Sequence, residues 1–468
     1  MRARQYQILI AAATIAFGLW FLTLRLNDVK PRLNRGLGID IHDSKFIYIS
    51  HSSLTYQTNL KTLGEAETEK PSSPQKSTLP GDISSGVSPE EPEPSNQYLS
   101  PEDVEKYVES IMDFEDETRF ERVSCPAEIP HRYSQLSSGS NDKIKYFFAL
   151  DLYQSVEIIP RLMSSIVYAM LFLGPERCAI SVTEGRSEDG TYEILAALQK
   201  RVQGMGGHFF LSTSDINPMD NYGQHRIAAL AELRNIALEP LKSVGASGLD
   251  DSLADIYSSE AVVIFINDIA LCPEDILELV FQHINQGAHM TCSFDWIFNG
   301  TLFYDVWVSR SLVGDTFFEI PHDASWAYSK DLFWSDPDGK RRYEAHKPFQ
   351  VYSCWGGMVT LDAATFAENT VKFRASDPGE CYMGEPTLLA KDLYRHGQGK
   401  ILAVPAVNVA YSDKEAVGTK LMQGYVADHV DTSRPILAQD EIVPWQAAPP
   451  GMVKCLPNFD QPSWAKPV

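Results

Sequence analysis

From Lys145 onward, short apolar runs alternate with longer segments of helical period, and that alternation restricts the chain to one fold class. Strands are predicted at KYFFALDLY (145–153), AISVTE (179–184), HFFLST (208–213), VVIFIND (262–268) and MTCSFDW (290–296), with helices near 156–173, 191–203, 225–241 and 273–286. Strands separated by helices of this length form an α/β fold with a mostly parallel central sheet covered on both faces. Ligands of such sheets bind at the C-terminal strand ends. Asp151, Glu184, Asp268 and Asp295 stand at those ends.

Two common occupants of α/β sheets lack their motifs here. The turn after the first strand reads LDLYQSVEIIP, without the GxGxxG that lets a backbone approach a dinucleotide pyrophosphate, and there is no Walker P-loop. Acidic residues outnumber basic ones by 62 to 40, a formal charge of −22, which repels a nucleic-acid backbone. An anionic substrate therefore needs a local cation.

Residues 8–24, ILIAAATIAFGLWFLTL, carry no charge and just reach the roughly 17 residues that span a bilayer. They are read as an uncleaved signal anchor after a short tail of residues 1–7. A cleaved signal peptide is the competing reading, but no small-residue cleavage pattern follows, and Arg25, Lys30, Arg32 and Arg35 do. Charge counting leaves the orientation open. Residues 25–104 read as a stem, rich in Pro, Ser and Glu from about residue 63 and too poor in apolar residues to fold. Residues 105–142 read as a helical lead-in, with helical spacing over 101–122 opened by Ser100 or by Pro101-Glu102-Asp103. The folded part divides into 143–300, which carries the strand–helix alternation and its strand-tip carboxylates, 301–415, an aromatic-rich half of loops and short elements with room for a large second ligand, and 416–468, a C-terminal extension. Seven cysteines without a CxxC pair argue against a zinc knuckle and leave disulfides or buried free thiols open. One sequon, Asn299-Gly300-Thr301, fits a lumenal location.

The site candidates follow from charge and position. Asp268 ends the apolar run AVVIFIND, and a lone hard carboxylate there suits Mn2+ or Mg2+, a cation that bridges two phosphates; capping the helix near Pro273 is the alternative. Asn267 stands beside it. In the second-strand turn, Glu184 and Asp189 are placed to accept from a ribose or base, or to complement a helix start. Arg226 and Arg234, about 80° apart on a helix, can share a broad face and hold a pyrophosphate, or pair with Glu232 or Glu239. Asn235 joins the donor-side set.

These segments together resemble the fungal capsule-associated α-1,3-mannosyltransferase family, type II membrane enzymes with a GT-A-like nucleotide-sugar fold. The resemblance covers about residues 143–415 and rests on an ordered set: SVTEGRSEDGT, RIAALAELRNIALEPL, VVIFINDIALCPEDIL, CSFDW, LFYDVWVSRSLVGD, PFQVYSCWGGMVTLD, FRASDPGECYMGEPTLLAKDLYRHG and KILAVPAVNVAYS. It implies transfer of mannose from GDP-mannose to an α-mannoside or polysaccharide acceptor, metal-dependent and with retention, forming an α-1,3 linkage in glycan or cell-wall synthesis. It also implies a single-pass Golgi membrane protein with a lumenal catalytic domain. Glu385 stands where the family segment carries an acid and is the candidate nucleophile or acceptor-holding group. Gly384-Glu385-Pro386 departs from the common Ser-Glu-Cys run there, and Gly185-Arg186 departs again. Asp295 and Trp296, Asp305, Trp307 and Arg310 in YDVWVSR, and Trp355 are acceptor-side candidates, with an ion pair and core aromatics as the structural alternative. A non-catalytic membrane-anchored partner in polysaccharide assembly or export is the second reading.

Overall fold

The first strand, β1 (Ile144–Leu152), is buried at every position except Lys145 and Asp151, as a parallel strand covered on both faces must be. The computed structural model describes residues 98–467 apart from 117, 141–142, 220–223, 243–255, 322, 324, 432–441 and 460. All the described residues fall in one compact unit. The tail, the 8–24 anchor and the stem up to residue 97 lie outside them. Among the described residues no helix is long and apolar enough to cross a membrane.

The other strands are β2 (Cys178–Glu184), β3 (His208–Thr213), β4 (Tyr257–Ile266), β5 (Met290–Ile297), β6 (Leu302–Phe303), β7 (Phe349–Gln350), β8 (Met358–Asp362) and β9 (Ile401–Ala410). They form a nine-stranded sheet in the order β3-β2-β1-β4-β8-β5-β9-β7, with β6 on β5. The sheet is mixed, which corrects the mostly parallel expectation. The β3-β2-β1-β4 ladder and the β5-β9 pair are parallel, whereas β8 runs antiparallel to both β4 and β5. A short β10 (Val453–Cys455) pairs with β11 (Ser463–Ala465) in a separate ribbon.

The principal helices are α1 (Pro101–Met112), α2 (Ile159–Leu173), α3 (Thr191–Gly204), α4 (Gln224–Ala237), α5 (Glu239–Lys242) and α6 (Pro273–Gln286). They are followed by α7 (Pro337–Glu344), α8 (Ala363–Ala367), α9 (Glu385–Arg395), α10 (Asp413–Gln423) and α11 (Val426–His429). On one sheet face, Tyr146, Phe148 and Leu150 of β1 pack with residues of α2, α3 and α6; on the other, Phe147 and Ala149 join residues of α4, α8 and α9. Helix α1 starts at the Ser100 cap, whose hydroxyl accepts from Asp103 N, but stops at Met112 rather than near residue 122. Beyond it the chain wraps the Arg122 guanidinium, which donates to the carbonyls of Ser110, Asp113 and Phe114.

In β9, Pro405 sits where the register against β5 jumps from Cys292↔Ala403 to Phe294↔Asn408. Proline has no N–H for the ladder, so an irregularity is its natural place. Asn408 closes the bulge, donating to Pro405 O and accepting from Trp296 Nε1.

Six cysteines pair as Cys125–Cys272, Cys292–Cys354 and Cys381–Cys455, and Cys178 is a buried free thiol. The first bridge spans 147 residues and ties the lead-in to the start of α6. Replacing both Cys125 and Cys272 by Ser is expected to cost about 2–4 kcal/mol, read as a lower urea midpoint; an unchanged midpoint refutes the staple.

Candidate active site at the strand tips

Asp151, near the tip of β1, and Asp268, just past β4, face a common crevice and retain partial solvent access. Burial and the charge of Asp151 push the Asp268 carboxyl up to about 7. Burial also raises Asp151, to about 6, with Arg234 opposing the shift and Glu385 adding to it. Two carboxylates crowded this way lose their protons in sequence, the second against the charge of the first.

Arg234 on α4 is the cation facing them. Its guanidinium carbon lies 4.1 Å from the centroid of Trp355, 5.5 Å from that of Phe373 and 5.6 Å from that of Phe265, an aromatic box that holds the plane rigid. Nη1 lies 3.2 Å from Glu385 Oε1, an ion-pair distance without hydrogen-bond alignment. Nε and Nη1 are both buried and have no hydrogen-bond partner. Leaving such donors unmet costs free energy, so the group is built to receive an acceptor.

The box is keyed by its neighbours. Asn235 clamps the Phe373 backbone from both sides, with Nδ2 donating to Phe373 O at 2.8 Å and Oδ1 accepting from Phe373 N at 3.1 Å. Asn267 Oδ1 accepts from Trp355 Nε1, and Asn267 N donates to Gly357 O. Gly356 has φ 63°, and a Cβ there would lie 1.9 Å from Ser293 O, so the turn after Trp355 closes onto β5 only with glycine. The Cys292–Cys354 bridge fastens the same turn. Glu385 occupies the first position of α9 and is 3% exposed.

The crevice therefore gathers Asn267, Asp268, Arg234, Glu385 and Trp355, together with Asp151. Arg226 donates to Pro218 O and to Met219 Sδ, and its charge reaches Tyr304 and Tyr382, which places it at the rim. Among the described residues neither arginine pairs with Glu232 or Glu239; Arg234 pairs with Glu385. Asp268 is not the cap of α6, whose N-cap is Cys272, bonded to Asp275.

Other sequence candidates are taken up by the scaffold. Glu184 is fully buried and accepts from Arg186 N and Ser187 N, so as folded it cannot touch a ligand. Asp189 accepts from Val156 N and Thr191 N, joining two loops. Asp295 is buried and accepts from Tyr411 Oη at 2.6 Å and Asp305 N; burial first, then Asp305, holds its carboxyl well above the usual range. Asp305 in turn accepts from Gly356 N. Arg310 is wholly buried and donates to the carbonyls of Lys454, Val306, Trp307 and Ser309, a backbone brace and not an acceptor contact. Trp296 is a core residue bonded to Asn408, and Trp307 donates to Leu456 O.

Sequence reasoning gave no role to Tyr304 and Tyr411. Tyr304 packs edge-on to Tyr411, and burial, then Asp295, Asp305 and Asp268, raises its hydroxyl pKa, so it lies between the buried acid pair and the crevice. Their signal was only aromatic richness. Among the described residues no group of three or more His, Cys, Asp or Glu is placed to hold a metal ion. The oxygen set of Asp268 and Asp151, raised first by burial and then by neighbouring like charge, nevertheless fits a hard divalent cation, since a positive charge there offsets both penalties on the ionised form. A separate cavity of about 360 Å3, lined by Arg132, Glu278, His346 and His429 among others, contains none of the strand-tip carboxylates.

A family model described as cryptococcal mannosyltransferase 1 matches residues 145–392. The chain belongs to the cryptococcal mannosyltransferase 1 family. A relative, alpha-1,3-mannosyltransferase CMT1 of Cryptococcus neoformans var. neoformans serotype D, is 34% identical over 329 residues, 67% of this chain and 68% of the relative. As a member of the cryptococcal mannosyltransferase 1 family the protein is a glycosyltransferase. Among the solved structures that also match are two with low TM-scores. One is GalNAc-T7 with UDP, GalNAc and Mn2+, 14% identical, covering 69% of this chain and 56% of that chain, TM-score 0.35. The other is the mannosyltransferase PcManGT of Pyrobaculum calidifontis with GDP-Man and Mn2+, 10% identical, covering 60% and 62%, TM-score 0.31.

For this family member the raised carboxyls make a stability prediction. Their folded pKa values of about 6 and about 7 exceed the unfolded value, so their contribution is fully present below about pH 4 and lost as pH rises through 6–7. In metal-free buffer, Asp268→Asn is expected to match the parent near pH 4 and to exceed it at pH 8 by on the order of 2 kcal/mol, discounted for partial exposure. A variant less stable than the parent at both pH values refutes this account of burial and like charge.

Proposed function

We propose that the protein transfers mannose from GDP-mannose to an α-mannoside or polysaccharide acceptor, forming an α-1,3 linkage with retention on a GT-A-like scaffold. The observation that carries this reading is Arg234, whose buried, unmet donors stand beside two strand-tip carboxylates in a member of a mannosyltransferase family. The unmet N–H groups suit the diphosphate of a nucleotide sugar, and the boxed guanidinium is preorganised for the charge that grows as the diphosphate leaves. A bound Mn2+ or Mg2+ on Asp268, with Asp151, would neutralise further phosphate charge.

In a same-face displacement the acceptor hydroxyl oxygen bonds to the anomeric carbon while the bond from that carbon to the diphosphate breaks. The departing phosphate oxygen takes the hydroxyl proton, and no protein nucleophile is consumed. Glu385, held by Arg234 on the first turn of α9, orients the sugar or acceptor hydroxyl. The anchor at 8–24 and the stem would place the domain in the Golgi lumen. Three disulfides support that oxidising compartment.

The test is radiolabelled transfer by the full chain in detergent, with GDP-mannose, Mn2+ and an α-mannobiose acceptor, and with UDP-sugars in parallel. Arg234→Ala is expected to lose about 10²–10³-fold in kcat, and Asp268→Ala to lose transfer while unfolding cooperatively. Chelator should abolish turnover. Full activity of Asp268→Ala in excess chelator overturns the metal site, and transfer only from a UDP-sugar overturns the donor.

A further inference from the structure

The single sequon of the chain, Asn299-Gly300-Thr301, lies in the β5–β6 hairpin and has no part in the crevice. Phe298 and Asn299 both take left-handed backbone, φ 52° and 56°, and the turn is seated firmly on α10. Gln423 Nε2 donates to Gly300 O at 2.7 Å, and Asn299 N donates to the Glu415 carboxylate. A Cβ on Gly418 would lie 2.4 Å from Asn299 Cβ, so helix and turn meet backbone to side chain. Asn299 is exposed nonetheless, and its side-chain amide donates to no described residue.

Around it lies the second observation. Phe298 is 52% exposed, and Val417, Leu421 and Met422 of α10 are 44%, 84% and 59% exposed. Gly300 sits against Thr419 and Met422, which brings the outer face of α10 beside the sequon. Val417 and Leu421, one helical turn apart, share a face. A patch of this kind on a surface of net charge −22 needs a cover.

We propose that Asn299 carries an N-linked glycan whose first sugars lie over the Phe298, Val417, Leu421 and Met422 patch. The proposal rests on the lumenal placement argued above. The donor is an oligosaccharide on a lipid diphosphate: a bond forms between Asn299 Nδ2 and the first sugar carbon, the bond from that carbon to the diphosphate breaks, the diphosphate leaves with its electrons, and one amide proton passes to base. The apolar faces of the sugars then replace water on the patch, and their hydroxyls face solvent.

The test uses the full chain made in a eukaryotic secretory host. Enzymatic deglycosylation should give one mobility step, lost in Asn299→Gln and Thr301→Ala and kept in Thr301→Ser, with the modified peptide identified by mass. Binding of a hydrophobic dye should rise several-fold on deglycosylation of the folded protein, and Leu421→Asp should suppress that rise without changing occupancy. Alkylation of the denatured, unreduced chain reads its compartment separately: Cys178 alone should react. One reactive thiol with an unmodified Asn299 overturns the proposal while leaving the lumenal reading standing. Seven reactive thiols overturn both. An occupied Asn299 with unchanged dye binding overturns the covering role.

Discussion

The reversal of β8 between β4 and β5 is the constraint on which the site depends. By pairing antiparallel with both neighbours, β8 brings the turn that precedes it, Ser353 to Gly357, to the C-terminal ends of the parallel strands. Trp355 thereby meets Asn267, and Gly357 O receives Asn267 N. Running parallel, the strand would deliver that turn to the opposite edge of the sheet, and Arg234 would lose one wall of its box. The topology thus does chemical placement that no local motif could do.

Within the crevice two unmet electrostatic demands face each other. Burial and like charge penalise the ionised forms of Asp151 and Asp268 and raise them to about 6 and about 7. Arg234 keeps buried donors unspent, with Glu385 its ion-pair partner among the described residues. Each is costly alone, and a ligand carrying both phosphate oxygens and a divalent cation would answer both at once. Strain of this kind is tolerated where the aromatic box, the Asn235 clamp and the Cys292–Cys354 bridge fix the surroundings.

The strands of the first half were legible because each is a short apolar-rich run set between segments of helical period, and β1, β2, β3 and β5 lie within a residue or two of their predicted bounds. The direction of β8 was not legible: MVTLD reads the same either way, and only its partners decide. Charge position alone also failed to separate carboxylates open to the crevice from those spent on the scaffold. Glu184 and Asp268 both end strands, yet the turn after β2 folds back to give Glu184 two backbone N–H groups, whereas Asn267-Asp268-Ile269 leads away through the Ala270 bridge to Ala410. Arg234 offered two local glutamates as partners, and the actual one comes from α9, brought near only by the completed fold.

The C-terminal extension is part of the wall beside Glu385. Arg310 donates to Lys454 O and Trp307 to Leu456 O, and Cys455 is bonded to Cys381 in the loop leading to α9. The YDVWVSR segment is thereby fixed from behind. Its tryptophan is pressed so close to Gly384 that a Cβ there would lie 2.9 Å from the Trp307 ring and 2.9 Å from Val308 Cγ1. Gly384 has ordinary extended backbone, φ −64°, so the glycine answers to space and not to conformation. The Gly-Glu-Pro departure at 384–386 is thus coupled to the tryptophan against it: a larger residue before Glu385 requires Trp307 to move, and with it the wall beside Glu385.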